Sequence, residues 1–199
     1  MSGVISGTGA LTKSNTGTLT LTSGNSYAGG TIVNAGTLKI DVAGRIGNGG
    51  LTVNNGGTFS VTNADYNTVP GTITINEGGV VSADSASNNA HNIGALFMNG
   101  GTLTSTGAAY SEGNWIFNAD VTVGGSALST ISGLKIGSKS GGGTYNVADS
   151  VAGAGTDLLV SAAMVEASGG SYLTKTGVGT MTLSGTNTYT GNTTIGAGT

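Results

Sequence analysis

Along most of the chain, apolar residues alternate with threonine, serine and other polar residues in short runs, and glycine or asparagine breaks each run. A period of two puts successive side chains on opposite faces, so each run reads as a short strand with one apolar face. Thr18-Leu19-Thr20-Leu21-Thr22 is the clearest case, with leucines on one side and hydroxyls on the other. A looser unit recurs beyond it: apolar-x-apolar-Asn, a glycine turn, then apolar-x-apolar. It is read in TIVNAGTLKI (31–40), LTVNNGGTFSV (51–61), ITINEGGVVSA (73–83), LFMNGGTLTS (96–105) and WIFNADVTV (115–123). The asparagines Asn34, Asn54, Asn76, Asn99 and Asn118 follow at steps of 20, 22, 23 and 19 residues. Such steps suit the coils of a parallel β-helix, about 19–23 residues each; a propeller blade or a helical hairpin repeat is longer.

Alternation also predicts the inward set. It comprises Val33, Leu38 and Ile40; Leu51, Val53, Phe59 and Val61; Ile73, Ile75 and Val81; Leu96, Met98 and Leu103; and Trp115, Phe117, Val121 and Val123. Coils of this size cannot bury an apolar face alone, so each depends on its neighbours. About nine coils at roughly 4.8 Å each would make a rod on the order of 43 Å long. The spacers Asn63 to Pro70, Asp84 to Asn92 and Thr106 to Asn114 are polar and expected to loop out of the rod. Pro70 sits before a strand, where its missing N–H does least harm. LLVSAAMVEA (158–167) has helical composition, but two strands with a bend at Ser161 fit the surrounding pattern better.

One stretch occurs twice. Residues 5–37, ISGTGALTKSNTGTLTLTSGNSYAGGTIVNAGT, and 167–199, ASGGSYLTKTGVGTMTLSGTNTYTGNTTIGAGT, align without a gap at an offset of 162 and agree at 16 of 33 positions. The shared residues include Leu11, Lys13, Gly17, Leu21, Asn25, Tyr27, Gly29, Thr31 and Gly36 with their partners in the second copy. Self-similarity of this kind marks a stacked architecture.

LTKSNTGTLTLTSGNSYAGGT and LTKTGVGTMTLSGTNTYTGNTTI resemble the passenger-associated transport repeat of bacterial autotransporters. Glycines, Lys, Leu, Asn-x-Tyr and Gly-x-Thr recur at fixed offsets, and the two copies cover 66 residues, a third of the chain. The resemblance implies an all-β, single-stranded, right-handed parallel β-helix outside a Gram-negative bacterium, secreted through the outer membrane by way of a C-terminal β-barrel. Residues 1–199 are then expected to form a single β-helix segment of a longer passenger, because the second copy stops at Thr199 where the first continues as Leu38-Lys39-Ile40. Both terminal coils are expected to lack a stacking partner, and so to fray or associate end to end.

Composition agrees with a solenoid, which needs a turn every few residues: glycine is 39 of 199 residues and only 8% are charged. A net charge of −3 with six scattered basic residues argues against nucleic acid and anionic membranes as partners. No apolar run is long enough for a membrane span, and Met1-Ser2-Gly3 does not open a signal peptide. With no cysteine there is no disulfide or thiolate chemistry.

Candidate chemistry is sparse. The recurring asparagines could be an outward ligand row, but stacked amides that bond each other along the rod are the stronger reading. His91 is the only histidine and is expected in a polar loop, so Asp84, Ser85 and His91 form a catalytic set on paper only. Polysaccharide-active β-helices need facing carboxylates; Asp41 lies seven positions after Asn34 and Asp84 eight after Asn76, two coils apart. Tyr66, Tyr110 and Tyr145 are read as exposed aromatics that could meet a glycan or host protein. The glycine-rich stretches match neither a dinucleotide fingerprint nor a P-loop, and calcium-binding nonapeptides are absent. No catalytic, cofactor-binding or metal residue is therefore assigned and no cofactor is expected. The expected function is a non-catalytic folding, secretion and display spacer. An adhesive surface for host or neighbouring cells is the alternative, and a polysaccharide-active enzyme is the third reading. Expected partners are neighbouring coils, the C-terminal β-barrel, and through the adhesive reading a host surface or a second copy.

Overall fold

The computed structural model describes residues 1–41, 45–62, 69–84, 90–106, 114–138, 142–153, 155–167 and 169–199. They form 21 strands and no helix. In order these are β1 (Leu11–Lys13), β2 (Thr18–Leu21), β3 (Thr31–Val33), β4 (Gly36–Ile40), β5 (Leu51–Val53), β6 (Gly57–Val61) and β7 (Ile73–Asn76). There follow β8 (Val80–Ala83), β9 (His91–Ile93), β10 (Leu96–Asn99), β11 (Thr102–Ser105), β12 (Trp115–Phe117), β13 (Val121–Val123) and β14 (Ser129–Ile131). The last are β15 (Lys135–Ser138), β16 (Gly143–Val147), β17 (Leu158–Val160), β18 (Ala163–Glu166), β19 (Leu173–Thr176), β20 (Met181–Leu183) and β21 (Thr193–Ile195).

Every strand pairs in parallel with the strand one coil away; two sheets run the length of the stack and a third covers part of it. The first holds nine strands in the order β1-β3-β5-β7-β10-β13-β16-β19-β21, and the second eight in the order β2-β4-β6-β8-β11-β14-β17-β20. A shorter third sheet, β9-β12-β15-β18, closes the third side over the middle of the chain. Parallel pairing of this kind needs a full crossover between partners, and here the crossover is the rest of the coil. This is the β-solenoid that the alternation and the repeats imply. LLVSAAMVEA divides into β17 and β18 on either side of Ser161-Ala162, in two different sheets.

Side chains stack in columns. One inward column of the first sheet runs Lys13, Val33, Val53, Ile75, Met98, Val123, Val147. In the second sheet Leu19, Leu38, Phe59, Val81 and Leu103 are aligned the same way. Every inward residue expected between Val33 and Val123 is buried. Leu19 also points inward but is only half-buried, because β2 is the edge strand of its sheet.

Two coil lengths depart from expectation. WIFNADVTV does not repeat the earlier unit: its first half, β12, lies in the third sheet and its second half, β13, in the first. The position in register with Asn99 is therefore Gly124, next after the Met98–Val123 pair, and not Asn118. Later, Gly143 pairs with Leu173 thirty residues on, the longest step in the first sheet. The strand β16 pairs through Tyr145–Val147 on one side and Gly143–Asn146 on the other, a sideways shift of two residues.

Candidate functional site

The two transport-type copies place a lysine where alternation demands an apolar residue. Lys13 heads the column that continues as Val33 and Val53, and Lys175 stands between Tyr145 and Ile195. Both are buried, Lys175 to 2% exposure. A buried ammonium needs partners, and backbone carbonyls at the turn between the first and second sheets provide them. Lys175 Nζ donates to the carbonyls of Thr176 at 3.0 Å, Gly177 at 2.7 Å and Ala197 at 3.0 Å. Lys13 Nζ donates to those of Asn15 and Ala35, the latter at 3.0 Å. Asn15 and Ala35 are the 162-residue equivalents of Gly177 and Ala197, so the same cage is built twice. In each, the lysine joins the turn of its own coil to the turn of the next. Burial pushes the Lys175 ammonium below the usual lysine range, and the nearby Asp157 carboxylate pulls it back in part.

Asn25 and Tyr27 act on the third side of the same coil. Asn25 Oδ1 accepts the N–H of Ile5 at 2.8 Å, from the coil before, and its Nδ2 donates to the Arg45 carbonyl at 2.7 Å, in the coil after. Asn187, its equivalent, accepts the N–H of Met164 at 2.9 Å. The Tyr27 hydroxyl lies 2.6 Å from Thr31 Oγ1, and Tyr189 stands 2.6 Å from Thr193 Oγ1. The residues that made the two copies recognisable thus turn inward or bridge adjacent coils.

The asparagine row is a ladder. Asn54 Nδ2 donates to Asn34 Oδ1 at 2.7 Å, Asn76 to Asn54 at 2.6 Å and Asn99 to Asn76 at 2.9 Å. Asn118 is not part of it; it donates to Asn92 Oδ1 at 3.1 Å across the third sheet.

The two carboxylates considered for catalysis do share an outward row at the end of the second sheet. Backbone bonds align Asp41, Thr62, Asp84 and Thr106 in successive coils, Thr62 donating to the carbonyl of Ile40, Asp84 to that of Val61 and Thr106 to that of Ala83. Thr62 stands between the acids and donates to Asp41 Oδ1 at 3.0 Å. Asp84 accepts hydroxyls from Ser60 at 2.7 Å, Thr106 at 2.6 Å, and Ser82. Partial burial raises its proton affinity, but those three hydroxyls and the Lys39 ammonium more than offset this, so its carboxyl lies below the usual range. A general acid of a glycosidase needs the opposite shift.

Two sequence assignments are corrected. His91 is not in a loop: it opens β9, is buried, and its ring lies 5.4 Å from that of Trp115. Tyr145 is not exposed: it points into the core edge-on to Phe117, with ring centroids 6.3 Å apart. Burial, and secondarily Tyr189, push its phenol well above the usual tyrosine range. Ser85, Tyr66 and Tyr110 lie outside the described residues. Among the described residues, no three His, Cys, Asp or Glu side chains gather where a metal could be held.

Sequence reading missed Asp157. It is buried at the corner before β17, where Oδ1 accepts the N–H groups of Ser150 at 2.6 Å and Val151 at 2.7 Å, and Oδ2 accepts that of Thr180 at 2.7 Å from the next coil. Burial raises its pKa, but the three amides and Lys175 bring it below the ordinary carboxylate value. The available signal was an acid directly abutting the apolar run Leu158-Leu159-Val160 in a chain so poor in charge.

The passenger-associated-transport-repeat family matches residues 11–40 and 173–199, the two coils that carry the lysine cages. The chain is also similar to the adhesin BmaC autotransporter of Brucella suis biovar 1 (strain 1330), 52% identical over 54 residues, which is 27% of this chain and 2% of that protein. No solved structure gives a significant match. The likeness places the chain among proteins secreted to the bacterial cell surface. The chain is a β-solenoid that carries two passenger-associated transport repeats and, over 54 residues, resembles an autotransporter.

Proposed function

We propose that this solenoid is a non-catalytic spacer that folds outside the cell and displays the rest of its passenger. The observation that carries this reading is the fate of the repeat's signature side chains. Lys13, Asn25, Lys175 and Asn187 all bond to an adjacent coil, so the most recognisable residues of the chain serve stacking and leave no chemistry outside. A coil that ties itself to its neighbour as it docks gains burial and hydrogen bonds step by step, which opposes backsliding without an energy source. The outward carboxylates Asp41 and Asp84 are held by threonine and serine hydroxyls, and the lowered pKa of Asp84 does not suit it to be the general acid of a catalytic pair. On this reading the solenoid is one domain, linked in its parent protein to a C-terminal β-barrel.

An adhesive role is the second reading, favoured by the adhesin named above and by the hydroxyl- and acid-lined row Asp41, Thr62, Asp84 and Thr106. One experiment separates the two. In the full-length parent, Lys13→Met with Lys175→Met is compared with Asp41→Lys with Asp84→Lys, scoring passenger displayed on the cell and adhesion per displayed molecule. The spacer reading expects the lysine pair to lower display several-fold and the aspartate pair to leave adhesion unchanged. Full display with both lysines removed defeats it, and lost adhesion at normal display with the aspartate pair puts the adhesive role in its place.

A further inference from the structure

Three Asn-Gly steps occur in the chain, at Asn48-Gly49, Asn55-Gly56 and Asn99-Gly100. Such a step carries both partners of a reaction. The glycine backbone nitrogen is the nucleophile, the asparagine carboxamide carbon is the electrophile, and glycine has no Cβ to obstruct their approach. The fold holds these groups differently at the three places.

Asn99 is fixed at both reacting groups. Its Nδ2, the nitrogen that would leave, donates to Asn76 Oδ1 at 2.9 Å, and the Gly100 N–H donates to Ser129 Oγ at 3.0 Å. Asn48 has an exposed side chain but a clamped backbone. Its N–H donates to the Tyr27 carbonyl at 3.0 Å. A Cβ on Gly49 would stand 2.5 Å from Gly30 N and 2.6 Å from the Ala28 carbonyl oxygen, so this peptide is packed against the preceding coil.

Asn55 has neither restraint. It lies at the exposed tip of a turn that the Gly57 N–H closes on the Asn54 carbonyl at 2.9 Å, with Gly56 at φ 78°. The Gly56 N–H reaches the Gly78 carbonyl only at 3.4 Å, beyond the usual range of about 2.7–3.2 Å. Among the described residues no hydrogen bond holds the Asn55 carboxamide. Its Oδ1 rests over Gly78, where an added Cβ would stand 2.5 Å away.

We propose that Asn55-Gly56 is a site of self-modification. The Gly56 nitrogen loses its proton to solvent base and bonds to Asn55 Cγ; the Cγ–Nδ2 bond breaks and that nitrogen leaves as ammonia. Water then opens the cyclic imide. Attack at Cγ leaves aspartate, and attack at the main-chain carbonyl leaves isoaspartate, with the backbone now running through Cγ. No group is oxidised or reduced, and water is the only co-reactant. Either product sets a carboxylate one coil from Glu77, which follows Asn76 as Asn55 follows Asn54. Like charges in neighbouring strands oppose stacking. Isoaspartate also lengthens the backbone inside the turn beside Asn54, so the change loosens the amide ladder as the molecule ages. The inference is independent of the spacer reading.

The test holds the folded full chain at mildly alkaline pH, digests samples in acid, and follows amide-to-acid exchange in the three peptides by mass spectrometry. The chain unfolded in guanidinium chloride is the reference. Unfolded, the three asparagines should convert at comparable rates. Folded, Asn55 should stay within about tenfold of its unfolded rate, and Asn99 should fall at least about a hundredfold below its own. An acidic charge variant should accumulate in step and be lost in Asn55→Gln, whose longer side chain closes the imide far more slowly. Conversion of Asn55 as slow as that of Asn99 in the folded chain, or slower than that of Asn48, overturns the proposal. So does an acidic variant that accumulates undiminished in Asn55→Gln.

Discussion

The ammonium of Lys175 donates to the carbonyl oxygen of Ala197 at 3.0 Å, 22 residues and one coil further along the chain. Lys13 and Ala35 repeat this relationship at the same separation and the same distance. A lysine in an inward column loses hydration that valine would not, so its presence twice implies a return from the carbonyls it gathers. Apart from that of Thr176, the last residue of β19, those carbonyls belong to turns between strands, and the ammonium brings three donors to one point.

Replacing Lys175 with methionine keeps most of the packing volume and removes the donors. The carbonyls of Thr176, Gly177 and Ala197 then lose a charged partner, and relief of the buried charge compensates in part. The expected net loss is about 1–3 kcal/mol in urea unfolding. It should come with faster exchange at Gly196, whose N–H bonds the Lys175 carbonyl. A variant as stable as the parent, with unaltered exchange there, would make the cage incidental.

Asn76 sits inside the amide ladder, donating to Asn54 and accepting from Asn99. Asn76→Ala breaks two bonds at half-buried positions and should cost about 1–2 kcal/mol. Asn118→Ala breaks one exposed bond to Asn92 and should cost under about 0.5 kcal/mol. Equal losses from the two, measured by urea titration, would deny the ladder its role.

The difference between those asparagines shows where sequence stops informing. Period-two alternation identified the strands and their inward faces, because burial acts on every second residue whatever the coil length. It could not tell which sheet a strand joins. WIFNADVTV has the letters of the earlier units, yet the third sheet claims Trp115–Phe117 and pushes the ladder position to Gly124. His91 and Tyr145 were misplaced for a related reason: a polar or amphipathic residue beside polar neighbours looks exposed until the third sheet or a longer strand turns it inward. The lysine cage was half legible. Two copies of Leu-Thr-Lys flagged Lys13 and Lys175, but nothing local says that an ammonium will reach carbonyls 22 residues away.

Gly36 and Gly17 are both shared by the two copies, yet their substitutions should differ sharply. Gly36 has φ 65°, and a Cβ there would stand 2.4 Å from the Asn15 carbonyl oxygen, inside the first lysine cage. A Cβ on Gly17 meets nothing within 4 Å. Gly36→Ala is expected to destabilise by about 2 kcal/mol or more, combining left-handed strain with the clash, and Gly17→Ala to stay within about 0.5 kcal/mol. Thermal unfolding of the two variants side by side checks this, and a tolerated Gly36→Ala would mean the turn can relax without the lysine.

Asp157 should set the acid limit of the solenoid. Its carboxyl is buried, yet the N–H groups of Ser150, Val151 and Thr180, with Lys175, hold it below its ordinary value near 3.8. A carboxyl lowered on folding stabilises the native state above its unfolded pKa, and that contribution is lost as pH falls through the folded one. Asp84, lowered by Ser82, Thr106 and Ser60, acts in the same direction. Stability should therefore be flat in this respect from pH 7 to about 5 and fall below about pH 4. Asp157→Asn keeps the size but turns an amide N–H₂ toward one of the three donors, and is expected to cost about 2 kcal/mol at pH 7. The variant has no carboxyl to protonate at that corner, so its gap from the parent should narrow as the pH drops from 5 to 3. Urea midpoints at pH 7, 5, 4 and 3 decide the matter: curves that run parallel down to pH 3 would mean that Asp157 does not link the corner of one coil to the next through its charge.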